Sequence, residues 1–227
     1  MPDSYVFLFG ANPMQPSAQL EFVRAAGGAR ARLVLLLVRR DGWEHYLPRY
    51  LDQWMRFGVR DYRVIVPDED QRLDSGRVCD ELERATCVFI GGGHTETYHR
   101  LYATGGVGAT IVQRHHAGVP LAGSSAGALI MPRVCRLSSW DTDSGQAVTL
   151  PGLGALSDVL VSVHFESRQD EAHILRGMVE TRIPTAWGIN DDACAVFHNG
   201  VFSHALGDGV YRLAYSPDFE HYSKRKF

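Results

Sequence analysis

Gly123-Ser124-Ser125-Ala126-Gly127 places a hydroxyl at the centre of a small-residue pentapeptide, the G-x-S-x-G pattern with Ser125 in the middle. A short apolar run (118–123) precedes it and "AGALIM" follows, so the pattern falls where a strand becomes a helix. A nucleophile elbow needs that context. The glycines allow a strained turn, the serine projects from the carboxyl end of the strand, and the first helical amide, that of Ala126, becomes an oxyanion donor. Ser124 points elsewhere in such a turn. A tight strand–helix junction with no chemistry uses the same small residues, so the pentapeptide alone does not decide.

Two further stretches add weight. "FIGGGHTETYHRL" puts Gly91-Gly92-Gly93-His94 directly after an apolar strand. The sixth position is Glu96, so it is not the dinucleotide fingerprint, and no Gly-Lys-Ser/Thr follows, so it is not a P-loop. Three glycines at a strand end permit close backbone approach, and Gly92 or Gly93 could give a second amide to an oxyanion. The alternative is a phosphate-binding or plain packing turn. In "DVLVSVHFESRQDEAHIL", His164 follows an apolar run and precedes a helical one, 39 residues after Ser125. That suits a general base. Five other histidines (His115, His116, His198, His204, His221) lie in helix-surface, turn or tail contexts, and His94 matters because it follows the glycines.

A Ser–His pair needs an acid to orient the imidazole. Asp141, Asp143 and Asp158 lie between the two residues; Asp191 and Asp192 lie beyond. For each, a loop-capping role is the alternative. Arg168, four residues past His164, is a candidate to hold a substrate carboxylate with two hydrogen bonds. It could equally pair with Glu171 on a helix surface. His94 and Arg133 are lesser candidates.

The elements that must position these groups are legible as alternating runs. Residues 5–9, 32–38, 62–66, 86–90, 118–123 and 159–163 read as buried strands; 17–27, 43–57, 74–85 and 95–116 read as helices, the last broken at Gly105–Gly106. Pro48 marks a late start or a kink in the second helix. Continuous apolar strands separated by helices predict a three-layer α/β fold, a mostly parallel sheet with helices on both faces. After residue 184, "TAWGI", "ACAVF", "GVFSHAL" and "GVYRLAY" are punctuated by Asn199–Gly200 and Asp208–Gly209. They predict an antiparallel meander at the C-terminal edge. The tail "HYSKRKF" is expected to fray. No linker is visible, so residues 1–227 read as a single domain.

Composition narrows the class. The chain has 227 residues, 45% of them hydrophobic and 22% charged, a balance typical of a globular protein able to bury a full core. A net charge of −3 gives no electrostatic case for nucleic acid. The longest apolar run, 33–38, is too short to span a bilayer, and no signal-peptide pattern starts the chain, so a cytoplasmic location is expected. Cys79, Cys87, Cys135 and Cys194 show no C-x-x-C spacing, which disfavours a structural zinc site or a disulfide scaffold.

"GGGHT", "AGSSAGA", "GLGAL…VLVSVHF" and "GINDDACAVF" occur here in the order and rough spacing of the dipeptidase E / cyanophycinase family of serine peptidases, which the chain resembles over about residues 86–200. The resemblance implies a class I glutamine amidotransferase-like fold with serine at the elbow. It implies a cofactor-free, metal-free Ser–His hydrolase forming an acyl-enzyme, with a small peptide, most simply an aspartyl dipeptide, as substrate, and a homodimer as assembly. It assigns Ser125 as nucleophile, His164 as base, and Gly92, Gly93 and Ala126 to the oxyanion hole. For the acid it puts Asp143 first, 18 residues past Ser125, then Asp191 in the closing motif, then Asp141. Three positions depart from the pattern. His94 stands where the loop often has Asn, Ser162 where the cyanophycinase branch often has Asp, and Asp170 where that branch has a second arginine. These departures favour small aspartyl substrates over cyanophycin. An α/β-hydrolase-type esterase and a non-catalytic binding domain of the same fold are the remaining readings; the "GGGH" loop one strand before the elbow argues against the esterase.

Overall fold

The computed structural model describes residues 3–227. Its first half runs β1 (Tyr5–Phe9), α1 (Pro16–Ala25), β2 (Arg32–Leu36), α2 (Leu47–Arg56), β3 (Asp61–Ile65), α3 (Ser75–Arg84), β4 (Cys87–Ile90), α4 (Thr95–Tyr98), α5 (Gly105–His116), β5 (Leu121–Ser124) and α6 (Ala126–Leu129). The second half runs β6 (Val134–Leu137), β7 (Val148–Pro151), β8 (Leu160–Val163), α7 (Glu171–Thr181), β9 (Thr185–Ile189), β10 (Cys194–His198), β11 (Val201–Leu206), β12 (Val210–Tyr215) and β13 (Tyr222–Lys226).

Side-chain alternation in the strands builds the layers. Phe7 and Phe9 of β1, Leu33 and Leu35 of β2 and Phe89 of β4 face one way, onto Phe22 of α1 and Trp54 of α2. Val6, Leu8, Val34, Leu36, Val88 and Ile90 face the other way, onto Val78 and Leu82 of α3 and Ile111 of α5. Both faces are therefore covered, which is why these strands are apolar at every position. The sheet order is β11-β10-β1-β5-β4-β2-β3. β1, β5, β4, β2 and β3 pair in parallel, and β10 and β11 add an antiparallel edge beside β1. The result is a mixed α/β fold on a mostly parallel central sheet, as the alternating runs predicted.

The C-terminal third differs from the expected meander. Only β10 and β11 join the central sheet, through a turn with Asn199 and Gly200 at φ 52° and 78°. β9 and β12 belong instead to a second sheet, β13-β12-β9-β8, whose β8 and β9 are parallel. Asp208–Gly209 is thus a crossing between sheets rather than a hairpin; positive φ at Gly207 and Gly209 turns the chain there. α7 covers one side of this sheet, with Ile174 and Met178 against Leu160, Phe165 and Leu213. The tail does not fray. It forms β13, held by Lys224 Nζ to Glu171 at 2.6 Å and by Phe227 over Trp187 and Phe202. A two-stranded hairpin, β6-β7, was not expected at all.

The helical readings shift in detail. Residues 43–46 form a 3-10 turn and α2 starts at Leu47, which leaves Pro48 in the first turn where its missing N–H costs nothing. The long helix divides into α4, a π-turn over 99–103, and α5 after Gly105 at φ 62°.

Candidate active site

Parallel pairing of β4 with β5, register Ile90 to Gly123, brings the glycine loop and the serine turn out side by side at the carboxyl end of the sheet. Ser125 holds φ 50° and ψ −110°, a region most residues avoid. Its backbone amide donates to Phe9 O at 3.0 Å, so β1 clamps the turn from the other side. Ser124 is buried, and its hydroxyl donates to Ala11 O at 2.7 Å, away from the opening. Both serines border the cavity, but the Ser124 hydroxyl is tied to Ala11 and only that of Ser125 meets a histidine.

β8 brings His164, also left-handed at φ 53°, to the same end. His164 Nε2 lies 2.9 Å from Ser125 Oγ, and His164 Nδ1 lies 2.5 Å from Asp191 Oδ1. The carboxylate accepts a hydrogen bond from Nδ1–H, which leaves Nε2 unprotonated to accept from the serine hydroxyl. Asp191 sits in the β9–β10 connection, where its carbonyl accepts from the amides of Ala11 and Asn12 at 3.1 and 2.7 Å. Its second oxygen, Oδ2, accepts from Ser167 Oγ at 2.8 Å. Partial burial works against its charge, but the hydrogen bonds from His164 and Ser167 outweigh it and hold the carboxyl below the usual aspartate range. Neighbouring Asn190 fixes the loop by accepting from Glu166 N at 3.1 Å. Ser167 and Asn190 were missed in the sequence, where they look like ordinary loop polars.

Asp143, placed first as the acid, lies elsewhere. Its Oδ1 is 2.8 Å from His94 Nε2, and its amide donates to Glu96 at 2.9 Å. Thr97 N–H donates to His94 Nδ1 at 3.3 Å, so Nε2 carries the proton given to Asp143. That hydrogen bond pulls the Asp143 carboxyl below its usual value. The physical reason for the displacement is Asp141, which pins this loop: its Oδ2 accepts from Ser138 Oγ at 2.6 Å and its Oδ1 from Arg168 at 3.0 Å. The chain then turns Asp143 toward α4 instead of His164. Asp141 is thereby a loop anchor, and Arg168 is engaged with it rather than free for a substrate. Arg133 pairs with Asp158 at 2.9 Å. His94, Glu96 and Asp143 offer ligand atoms within 4.8 Å of one another, yet they satisfy each other by hydrogen bonds and lie at the surface.

The glycine loop abuts the serine closely: a Cβ on Gly92 would lie 3.2 Å from Ser125 Cβ. Gly92 N–H turns to the Tyr50 hydroxyl at 3.4 Å. The amides of Gly93 and Ala126 have no acceptor among the described residues. These two are the donors free to meet a developing oxyanion beside Ser125. Ser162 and Asp170, the two departures near His164, bond each other: Ser162 Oγ donates to Asp170 Oδ2 at 2.5 Å. Burial pushes the Asp170 carboxyl up, with that hydrogen bond pulling against it. This acid belongs to the packing of β8 on α7, away from the opening.

Two cavities meet at Ser125. One, of about 210 Å³, includes Arg40, Arg49, Tyr50, Gly93 and His164. The other, of about 190 Å³, includes His94, Trp140, Asp141, Asp143 and Arg168. Larger hollows elsewhere, such as that between β3 and α3, bring no nucleophile–base pair together.

Comparison with known proteins gives a family and a fold. The profile of Peptidase family S51 matches residues 42–204. A cyanophycinase of Geminocystis herdmanii is 30% identical over 170 residues, covering 73% of this chain and 62% of its own length. A cyanophycinase of Trichormus variabilis is 27% identical over 177 residues, covering 76% and 59%. The chain thus spans about six-tenths of the length of the curated relatives it matches. Among solved structures, a peptidase from an acI-B1 Actinobacterium superposes with a TM-score of 0.68 at 16% identity, covering 99% of this chain and 97% of the other. A Peptidase E candidate from Listeria monocytogenes EGD-e superposes at 0.60 and 14% identity, covering 99% of each chain. These two likenesses establish the fold.

Proposed function

The chain belongs to peptidase family S51, and from that premise we propose that it is a serine peptidase cleaving short peptides, aspartyl dipeptides first among them, through Ser125, His164 and Asp191. The observation that carries the reading is the continuous hydrogen-bond chain from Ser125 Oγ through His164 to Asp191, set on a strained strand–helix turn.

Ser125 attacks the scissile carbonyl while His164 Nε2 takes its proton. Asp191 holds the imidazole in the required tautomer and stabilises the imidazolium. Gly93 and Ala126 amides receive the oxyanion; Gly92 holds the loop through Tyr50. The tetrahedral intermediate collapses as His164 gives the proton to the leaving amine. Water, deprotonated by the same imidazole, then hydrolyses the acyl-serine and restores the free enzyme.

We read the fold as a class I glutamine amidotransferase-like arrangement in a single domain. Cyanophycinase-like hydrolysis is the second reading. It is favoured by the relatives' name. A panel of Asp-X dipeptides, cyanophycin and p-nitrophenyl esters separates the readings. The proposal predicts turnover of the dipeptides, lost in Ser125→Ala. Turnover of the polymer alone selects the second reading, and retained dipeptide turnover in Ser125→Ala contradicts both.

A further inference from the structure

Arg168, the cation that the sequence offered for substrate binding, is neutralised by Asp141. Two other arginines reach the same opening. Arg40 lies in the loop four residues past the end of β2, and Arg49 stands in the first turn of α2, so both overhang the carboxyl end of the sheet. Arg40 stacks on the Tyr46 ring with its guanidinium 3.7 Å from the centroid, and Arg49 lies 5.8 Å from the same centroid. Both line the cavity that contains Ser125, Gly93 and His164. Neither has a carboxylate within 4 Å among the described residues, unlike Arg168. Burial pushes the Tyr50 hydroxyl up, and both guanidiniums pull against it, which places their charge against the inner wall as well as at the rim.

Two unpaired cations on one ring repel each other, and a shared anion relieves that repulsion. A guanidinium fork matches a carboxylate by two parallel hydrogen bonds. The side on which that carboxylate lies follows from the chemistry. His164 must reach the leaving nitrogen to protonate it, and His164 lines the arginine cavity but not the one with Asp141, Asp143 and Trp140. The arginine cavity is therefore the leaving-group side, and the second cavity, where Arg168 and His94 stand beside Asp141 and Asp143, takes the acyl residue.

We propose that Arg40 and Arg49 hold the free α-carboxylate of the residue that leaves, so that the enzyme reads the carboxyl end of a dipeptide. This rests on the peptidase reading above. It also gives the site a physical reason to stop at two residues: a longer peptide would put an uncharged amide where the arginines require an anion.

The test compares hydrolysis of L-Asp-L-Leu with that of L-Asp-L-leucinamide by the full chain, Arg40→Gln, Arg49→Gln and the double variant, with fluorophosphonate uptake at Ser125 recorded for each. Both arginines are exposed, so the substitutions leave the core intact. Each single change should lower kcat/KM for the free acid about tenfold, mainly through KM, as expected for losing one charge-assisted contact. Rates on the amide should stay within about twofold, and added salt should erode the preference for the acid. Equal cleavage of acid and amide by the parent protein, or an undiminished preference in the double variant, overturns the proposal and leaves the peptidase reading standing. Cleavage of neither compound by a protein whose Ser125 takes up the probe also overturns it alone. No uptake at Ser125 sinks the peptidase reading and this inference with it.

Discussion

At the scale of single residues, the site depends on which aspartate meets His164. Asp191 lies 2.5 Å from Nδ1, and Asp143 is turned to His94. Asp191→Asn should therefore lower kcat/KM by about 10³–10⁴-fold, since the amide favours the wrong imidazole tautomer. Asp143→Asn should stay near the parent rate, and steady-state kinetics on one dipeptide compares the two directly. The same carboxylate carries a pH signature. Its folded pKa is lowered, so its contribution to stability is complete above the unfolded value of about 3.9 and is lost as pH falls through the folded one. Urea midpoints should show Asp191→Asn less stable than the parent at neutral pH, with the gap closing as pH falls below the unfolded value of about 3.9. Ser124→Ala removes one buried hydrogen bond to Ala11 O and should cost about 1 kcal/mol while leaving turnover intact. Ser125 and His164 were legible because motif and context agreed at both positions. The acid was not, because several aspartates share the right stretch of chain, and only the pinning of Asp141 by Ser138 and Arg168 sends Asp143 away.

At the scale of elements, the turn between β5 and α6 is built on backbone proximity. A Cβ on Gly127 would lie 2.3 Å from Ile90 O, and one on Gly123 would lie 2.4 Å from Gly127 O. Gly127→Ala has no flexible neighbour to yield, so it should destabilise by about 1–3 kcal/mol, read from the urea midpoint, and lower kcat by moving the Ala126 amide. The strands of the central sheet were legible since burial on both faces makes them continuous apolar runs. β6 and β7 were not, because each is only four residues long and β6 buries Arg136 within its run. The Asn199–Gly200 hairpin was read correctly from local turn chemistry. Asp208–Gly209 carries the same local signal, but tertiary pairing of β12 with β9 decides its partner.

At the scale of the whole molecule, two sheets must stay in register for the site to exist: β5 of one carries Ser125 and β8 of the other leads into His164. An aromatic cluster joins them. Trp187 of β9 stacks on Phe202 of β11 at 4.0 Å, and Phe227 closes over both at 5.7 and 4.8 Å. Phe227→Ala should cost about 1 kcal/mol in denaturant without changing kcat/KM under native conditions, since it loosens the joint and touches neither reacting group. The sequence suggests fraying of that tail because its lysines and arginine hide the pairing of β13 with β12. No helix among the described residues is long and apolar enough to cross a membrane. The joined sheets converge on one hydroxyl, and the most direct measurement is intact and peptide mass spectrometry after treatment with a fluorophosphonate. The account predicts a single adduct on Ser125 that is lost in Ser125→Ala and strongly slowed in His164→Ala; an adduct on Ser124, or undiminished labelling without His164, would contradict it.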